Sequence, residues 1–162
     1  MKIELRDAKP GDLPVFYAMH NDPEAFRRVV FLPRKKDDFF KHWAKVLKNR
    51  LIVKKTVLYE GKTAGYVVSF FRTGTGKPKR REIGYWIARK YWGKGLASEG
   101  LRLLLEDHHT RPLFAHVAKT NLASRRVAEK CGFKIIGETV SQTEAGKDVY
   151  EFIFKLSGKP FR

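Results

Sequence analysis

The stretch from Tyr85 to Gly100, YWIARKYWGKGLASEG, constrains the fold more than any other part of the sequence. An aromatic and β-branched segment, reading as a strand, runs through a basic patch into Gly93-Lys94-Gly95 and directly into a helical pattern. A strand that stops at such a turn and opens a helix leaves several backbone N–H groups unpaired at the helix's positive end, which makes an anion site. Gly93 and Gly95 let the backbone approach a phosphate, and Lys94 adds charge. The spacing predicts a ligand with a phosphate or pyrophosphate. Taken alone, the two glycines are equally compatible with a tight turn and nothing more.

Two familiar phosphate loops fit less well. The nucleotide loop in which Gly-Lys precedes Ser or Thr lacks its first glycine here, and Leu96 follows Gly95. A dinucleotide fingerprint needs a third glycine, a parallel βαβ unit and a downstream ribose-binding acid, whereas the preceding strands read as hairpin partners. The anion site belongs to a different architecture.

Periodicity supplies that architecture. IELRDA alternates as a strand, and PGDLPVFYAMHND reads as a helix with Asp12 as its cap and Val15, Tyr17, Ala18 and Met19 available for a buried side. KKDDFFKHWAKVLKN spaces Phe39, Trp43, Val46 and Leu47 helically. The period then changes to two: LIVKKTVLYE, KTAGYVVSFF and RREIGYWIA read as successive strands joined by EGK and the longer RTGTGKPKR. LASEGLRLLLEDHH is a helix whose Leu96, Leu101, Leu104 and Leu105 form a core face, with His108 and His109 at its end as dipole partners or surface residues. The strand PLFAHVA, the helix TNLASRRVAEKCG stopping at Gly132, and a closing hairpin of FKIIGETV and KDVYEFIFKL across EAGK complete the chain. The expectation is a single α/β domain over residues 1–162.

Composition narrows the class. At 162 residues, 43% of them hydrophobic, the chain buries a core without disulfides or metal. Cys131 has no second thiol, so a reducing cytoplasm is expected, Cys131 reads as packing, and no metal is expected. No apolar run approaches a membrane span, and the N-terminus lacks a signal-peptide core. The formal charge of +17, from 34 Lys and Arg against 17 Asp and Glu, favours anionic company, but it is dispersed over the chain and marks no nucleic-acid motif.

REIGYWIARKYWGKGLASEGL, followed about two dozen residues later by AHVAKTNLASRRVAEKCGFKIIGE, resembles the cofactor-binding core of the GNAT N-acetyltransferases, in the RimJ/RimL-like branch that acts on ribosomal-protein N-termini. The resemblance is close from Arg81 to Glu138 and extends, as element order, over nearly the whole chain. It implies the acyl-CoA N-acyltransferase fold, with a mixed, largely antiparallel sheet of about six or seven strands flanked by helices. The family's acetyl-CoA loop falls on Trp92, Gly93, Lys94, Gly95, Leu96 and Ala97, with Trp92 replacing the usual polar first residue as in this branch. The resemblance implies that backbone N–H groups from Gly93 through Ser98 bind the pyrophosphate of acetyl-CoA. It also implies that Tyr85, Trp86 and Ile87 pair with the pantetheine arm, a backbone N–H near Ile87 faces the acetyl carbonyl, and Asn121 contacts the CoA arm. As a helix N-cap, Asn121 has a plainer reading that coexists with this one.

Direct transfer to an amine needs a base, an oxyanion donor and a proton for the thiolate. Glu82 and His116 are the candidate bases, His116 standing where relatives can carry a glutamate. Either is also readable as structural, Glu82 as an ion-pair partner of the arginines before it. Ser124, three residues after Asn121, resembles the branch's serine and is the candidate donor to the thiolate, its plain alternative being a solvated residue. The position where some relatives carry an acidic tyrosine is Ala128. The resemblance favours a protein α-amine as acceptor, a ribosomal one for choice, near the ribosome or RNA. A small-molecule amine, and a non-catalytic RNA- or ribosome-binding module, remain as alternatives. The segment Asp22 to Asn49 is expected to shape the acceptor cleft, and Glu24, Asp37, Asp38 and Glu60 are candidates for an acidic lining. The chain reads equally as monomer or homodimer.

Overall fold

Alternating apolar residues build the sheet and three-residue spacing builds its cover. The computed structural model describes residues 1–27, 34–72, 79–143 and 146–158. Strand β1 (Ile3–Asp7) leads through a short 3-10 turn into α1 (Leu13–His20), α2 (Pro23–Phe26) and α3 (Lys36–Lys48). Strands β2 (Val53–Tyr59), β3 (Lys62–Phe71) and β4 (Arg81–Ile87) follow, then α4 (Leu96–Asp107), β5 (Leu113–Ala118), α5 (Leu122–Lys130), β6 (Lys134–Gln142) and β7 (Asp148–Leu156). One seven-stranded sheet runs in the order β1-β2-β3-β4-β5-β7-β6. Glu60 and Gly61, at φ 49° and 76°, make the two-residue turn between β2 and β3 that the strand twist favours.

The helix α4 carries the chain from β4 to a parallel β5, the βαβ crossover that makes the sheet mixed, as the resemblance implies. Every other neighbouring pair is antiparallel. Pairing of β4 with β5 occurs at Glu82 and Phe114 alone, so the two strands part beyond it.

Each face of the sheet is buried differently. Leu101, Leu104 and Leu105 of α4 and Ala128 of α5 pack on Val67, Ile83, Leu113, Ala115, Val117 and Phe154, as the leucine pattern predicts. On the other face, Leu13, Phe16 and Met19 of α1 and Phe39 and Trp43 of α3 pack on Tyr66 and Trp86. The buried stripe of α1 is thus Leu13, Phe16 and Met19, while Val15 and Ala18 lie outside. Three large side chains spaced by three form the wider apolar face and turn Val15 to solvent. Residues 36–48 keep the expected face, with Val46 and Leu47 half-buried.

Asp12 does not cap α1 through its side chain. Buried at 2% exposure, its carboxylate accepts two hydrogen bonds of 2.7 Å from the Arg6 guanidinium, one of 2.7 Å from Thr56 and one of 3.0 Å from Lys9 N. Burial pushes its pKa up, and these bonds outweigh burial and hold it at about 2. The residue therefore ties α1's entry to β1 and β2.

Candidate functional site

Backbone parity decides what the end of β4 offers. Ala88 N donates to Ala64 O at 2.8 Å, Arg72 N donates to Arg80 O at 3.0 Å, and the register between them is unbroken. Even-numbered positions of β4 therefore spend their backbone groups on β3, and the odd positions Ile83, Tyr85 and Ile87 face β5. Because β5 has diverged, the backbone of Tyr85 and Ile87 faces a cleft of about 520 Å³. Trp92 folds back over this edge and donates from Nε1 to Ile87 O at 2.8 Å, a use of the unusual first loop residue.

The cleft brings together Tyr85, Trp86, Ile87, Gly93, Gly95, Leu96, Ala97, Ser98, Asn121 and Ser124, all expected from sequence. Gly93 and Gly95 both stand at φ 77°, a left-handed conformation that demands glycine, and a Cβ at either would meet no atom within 4 Å. The turn and the open approach to α4's first N–H groups thus coexist. Lys94 does not line the cleft; it is exposed, with Nζ 5.9 Å from the Tyr59 ring centre, because the flanking left-handed glycines turn it outward. Among the described residues, the cations on the wall are instead Arg126 and Lys130 of α5. Sequence reasoning missed both, although they share a helical face with Ala123 and Val127.

Ser124 is not simply solvated. The Tyr85 hydroxyl donates to Ser124 O at 3.0 Å and shares a hydrogen bond with Ser124 Oγ, while Ser124 N donates to Asn121 Oδ1 at 3.1 Å. Asn121 is therefore the N-cap of α5. Burial pushes the Tyr85 phenol up to about 12, so it carries its proton at neutral pH.

Glu82 and His116, alternatives in the sequence, are neighbours in space. They project from β4 and β5 onto the α1/α3 face, next to the last paired position before the strands part. Glu82 is 1% exposed, and its Oε2 accepts from Arg72 Nε, not from Arg80 or Arg81. Its Oε1 contacts His116 Nδ1, yet neither atom has a well-angled hydrogen-bond partner among the described residues. On the same sheet face, the His20 ring stacks on Trp86 at 4.1 Å and meets the Tyr66 hydroxyl through Nε2 at 2.7 Å. Burial, with help from Arg34 and His42, lowers the His20 pKa to about 4, so the ring is neutral at pH 7.

Other expectations resolve differently. The His108 ring is no cationic dipole partner: Nε2 meets Ser69 Oγ at 3.0 Å and Arg81 Nε at 3.3 Å, and burial and Arg81 lower its pKa. The Cys131 thiol donates to Ser98 O at 3.6 Å, and burial pushes its pKa up to about 11, which suits packing rather than nucleophilic attack. The acidic candidates do not assemble: Glu24 pairs with Arg27, Glu60 accepts from Lys2 N, and Asp37 and Asp38 are exposed in the first turn of α3. Among the described residues, no cluster of His, Cys, Asp or Glu is arranged for a metal, and no helix is long and apolar enough to cross a membrane.

A splayed parallel pair, a left-handed glycine turn and a helix N-terminus are thus gathered on one cleft. The profile of the GNAT acetyltransferase domain matches residues 2–134. The chain belongs to this family. The GNAT fold expected from sequence is the one observed, and the family consists of acetyl-CoA-dependent N-acetyltransferases. YkkB, an uncharacterised protein of Bacillus subtilis (strain 168), is 38% identical over 74 residues; the match spans 43% of this chain and 42% of that protein. The spermidine N-acetyltransferase of Vibrio cholerae, solved with CoA and spermine, superposes with a TM-score of 0.80 at 19% identity, over 96% of this chain and 95% of that one. A ribosomal-protein-alanine N-acetyltransferase from Brucella melitensis gives 0.79 at 20% identity, over 96% and 99%.

Proposed function

We propose that this chain transfers an acetyl group from acetyl-CoA directly to the α-amine at the N-terminus of a protein or peptide, a ribosomal protein for choice, in the cytoplasm. The observation that carries the reading is the Glu82–His116 pair, set where β4 and β5 part and where a thioester lying between them would end. The glycine turn and the first N–H groups of α4 suit the pyrophosphate, and the odd-numbered backbone edge of β4 suits the pantetheine amides. Bound there, acetyl-CoA supplies the activated acetyl group.

The protein's own groups divide the remaining work. His116, oriented by the Glu82 carboxylate, takes the proton of the incoming amine, and Arg72 holds the other oxygen of Glu82 in place. A backbone N–H at Ile87 serves the developing oxyanion. The protonated Tyr85 hydroxyl and Ser124 Oγ, which share a hydrogen bond on the cleft wall, hold the proton for the thiolate. The +17 charge and the likeness to a ribosomal-protein acetyltransferase favour a substrate on an RNA-rich particle. A small-molecule amine is the second reading, supported by the comparable likeness to a spermidine acetyltransferase.

Calorimetric titration with acetyl-CoA, beside desulfo-CoA and RNA, tests the donor; acetylation of peptide N-termini beside a panel of amines tests the acceptor. Saturable acetyl-CoA binding and N-terminal acetylation are expected, with Glu82→Gln and His116→Ala each lowering kcat about 10²–10⁴-fold while acetyl-CoA still binds. Steeply salt-dependent RNA binding without acetyl-CoA binding would replace this reading with that of a binding module.

A further inference from the structure

The acetyl-transfer scheme leaves one buried carboxylate unused. Glu151 of β7 is 8% exposed, accepts a hydrogen bond from Ser141 Oγ, and has no cationic partner among the described residues. Among the described residues, the other two buried carboxylates are both matched, Asp12 by Arg6 and Glu82 by Arg72 and His116. Desolvating an ionised carboxylate is costly unless a cation compensates it. In a chain with 34 Lys and Arg against 17 Asp and Glu, a buried carboxylate without one is the exception.

Register places this carboxylate beside the chemistry. His116 stands opposite Ile153, and Ala118 opposite Glu151, so Glu151 shares the face of His116 as its diagonal neighbour across β5 and β7. Such positions lie roughly 7–8 Å apart between Cα atoms. Ser141, near Glu151's partner Thr139 on β6, fixes the carboxylate from the side away from His116. The aromatic cluster of α1 and α3 ends at Trp86 and includes no residue of β5, β6 or β7. On the same face, Glu82 Oε1 and His116 Nδ1, both buried, also lack a well-angled hydrogen-bond partner. Glu82 and His116 meet each other there, which leaves Glu151 as the buried carboxylate of this face with no cationic partner among the described residues.

We infer that Glu151 is an acceptor-specificity residue: it holds a second positive group, a Lys or Arg side chain close behind the N-terminal amine that reacts at His116. Successive Cα atoms are about 3.8 Å apart, so a side chain at the second or third residue of an extended peptide spans the interval between the two sites. The inference rests on the acetyl-transfer reading of this face. It narrows the acceptor to basic N-termini, and it places the attraction for a cation inside a protein whose surface otherwise repels one.

The test compares wild type, Glu151→Gln and Glu151→Ala on two peptides that differ only in carrying Lys or norleucine at the second and third positions. Gln preserves the shape and an acceptor for Ser141, so it separates charge from structure. In Glu151→Gln the KM for the basic peptide should rise about tenfold, the scale of a lost charge-assisted hydrogen bond. Its kcat, the KM for acetyl-CoA and the kinetics on the norleucine peptide should change less than about twofold. Equal kinetics for wild type and Gln on both peptides, or equal losses on both, would overturn the inference. If wild type acetylates neither peptide, the reading of function fails. Calorimetric binding of the Lys peptide to wild type and to the Gln variant, each saturated with desulfo-CoA, then still decides the role of Glu151: weaker binding by Gln supports it, and equal binding ends it.

Discussion

Replacing Gly65 by Ala tests whether the end of β4 is held in place by a contact that only glycine permits. Gly65 lies on β3 opposite Ile87, whose backbone faces the cleft. A Cβ at this position would stand 2.1 Å from Trp86 O, 2.8 Å from Ile87 Cδ1 and 3.0 Å from Ile87 Cα. Non-bonded heavy atoms sit best at about 3.5 Å, so the shortfall at Trp86 O exceeds ~1 Å. Two of the three obstacles are backbone, and a rotamer change removes only the Ile87 methyl. The remaining relief is displacement of the cleft-side end of β4. Overpacking of this kind costs about 1–3 kcal/mol, or a fall in Tm of about 2–12 °C for a chain of this length. A shift of about 1 Å in a positioning element costs on the order of 10²-fold in turnover. Thermal unfolding, acetyl-CoA titration and kcat should all report the change. Gly84→Ala is the comparison: its Cβ would meet only the Val68 Cγ2 and Phe70 Cε1 side-chain atoms, at 3.3 and 3.6 Å, and it should leave acetyl-CoA affinity near wild type. A Gly65→Ala protein with wild-type Tm and acetyl-CoA affinity would refute the argument.

Acid should act on the Asp12 tie. Its folded pKa of about 2 lies below the model-peptide value of 3.8, so it contributes stability above about pH 4 that is lost as pH falls through about 2, on the order of 2 kcal/mol in full. Urea midpoints measured from pH 5 to pH 2 should fall in wild type and flatten over that window in Asp12→Asn; identical slopes would show that Asp12 is not responsible. Ser124→Ala should lower kcat more than acetyl-CoA affinity, Tyr85→Phe should act in the same direction, and the double variant should be little worse than either, because the two hydroxyls share one hydrogen bond. Unchanged kcat in Ser124→Ala would remove Ser124 from the chemistry.

Local order was legible in the sequence because it is local. Strand alternation, the leucine face of α4 and the Gly93–Gly95 turn each depend on residues a few positions apart, and each appears where the pattern put it. The four residues of α2 are too few to show a helical period. Partnership across the sheet is different: nothing in the β4 or β5 segment states that they are parallel, or that Glu82 meets His116, 34 positions later in the chain. Parity did hold an unused signal. Neighbouring residues of a strand point to opposite faces, so Arg81 was never placed to pair with Glu82; it meets Ser69 and His108 on the α4 face, and Arg72 crosses from the end of β3 instead. The expectations for residues 28–33, 73–78 and 144–145, within the acceptor segment, the β3–β4 loop and the final hairpin turn, lie outside the described residues.

The net charge, conspicuous in composition, is distributed over the two faces of the sheet in a way composition does not show. The wall built by α5 presents Arg126 and Lys130, whereas the opposite sheet face buries Glu82 and Glu151. On the proposed reading, an anionic donor would approach the basic α5 wall and a basic acceptor the face that carries the buried carboxylates. Such a separation would let one strongly basic protein bind both, because low dielectric makes a buried carboxylate count for more at close range than the dispersed surface charge, which salt screens beyond about 8–10 Å. Raising the salt concentration should therefore weaken acetyl-CoA capture at the exposed basic wall more than it weakens a basic peptide's hold on Glu151.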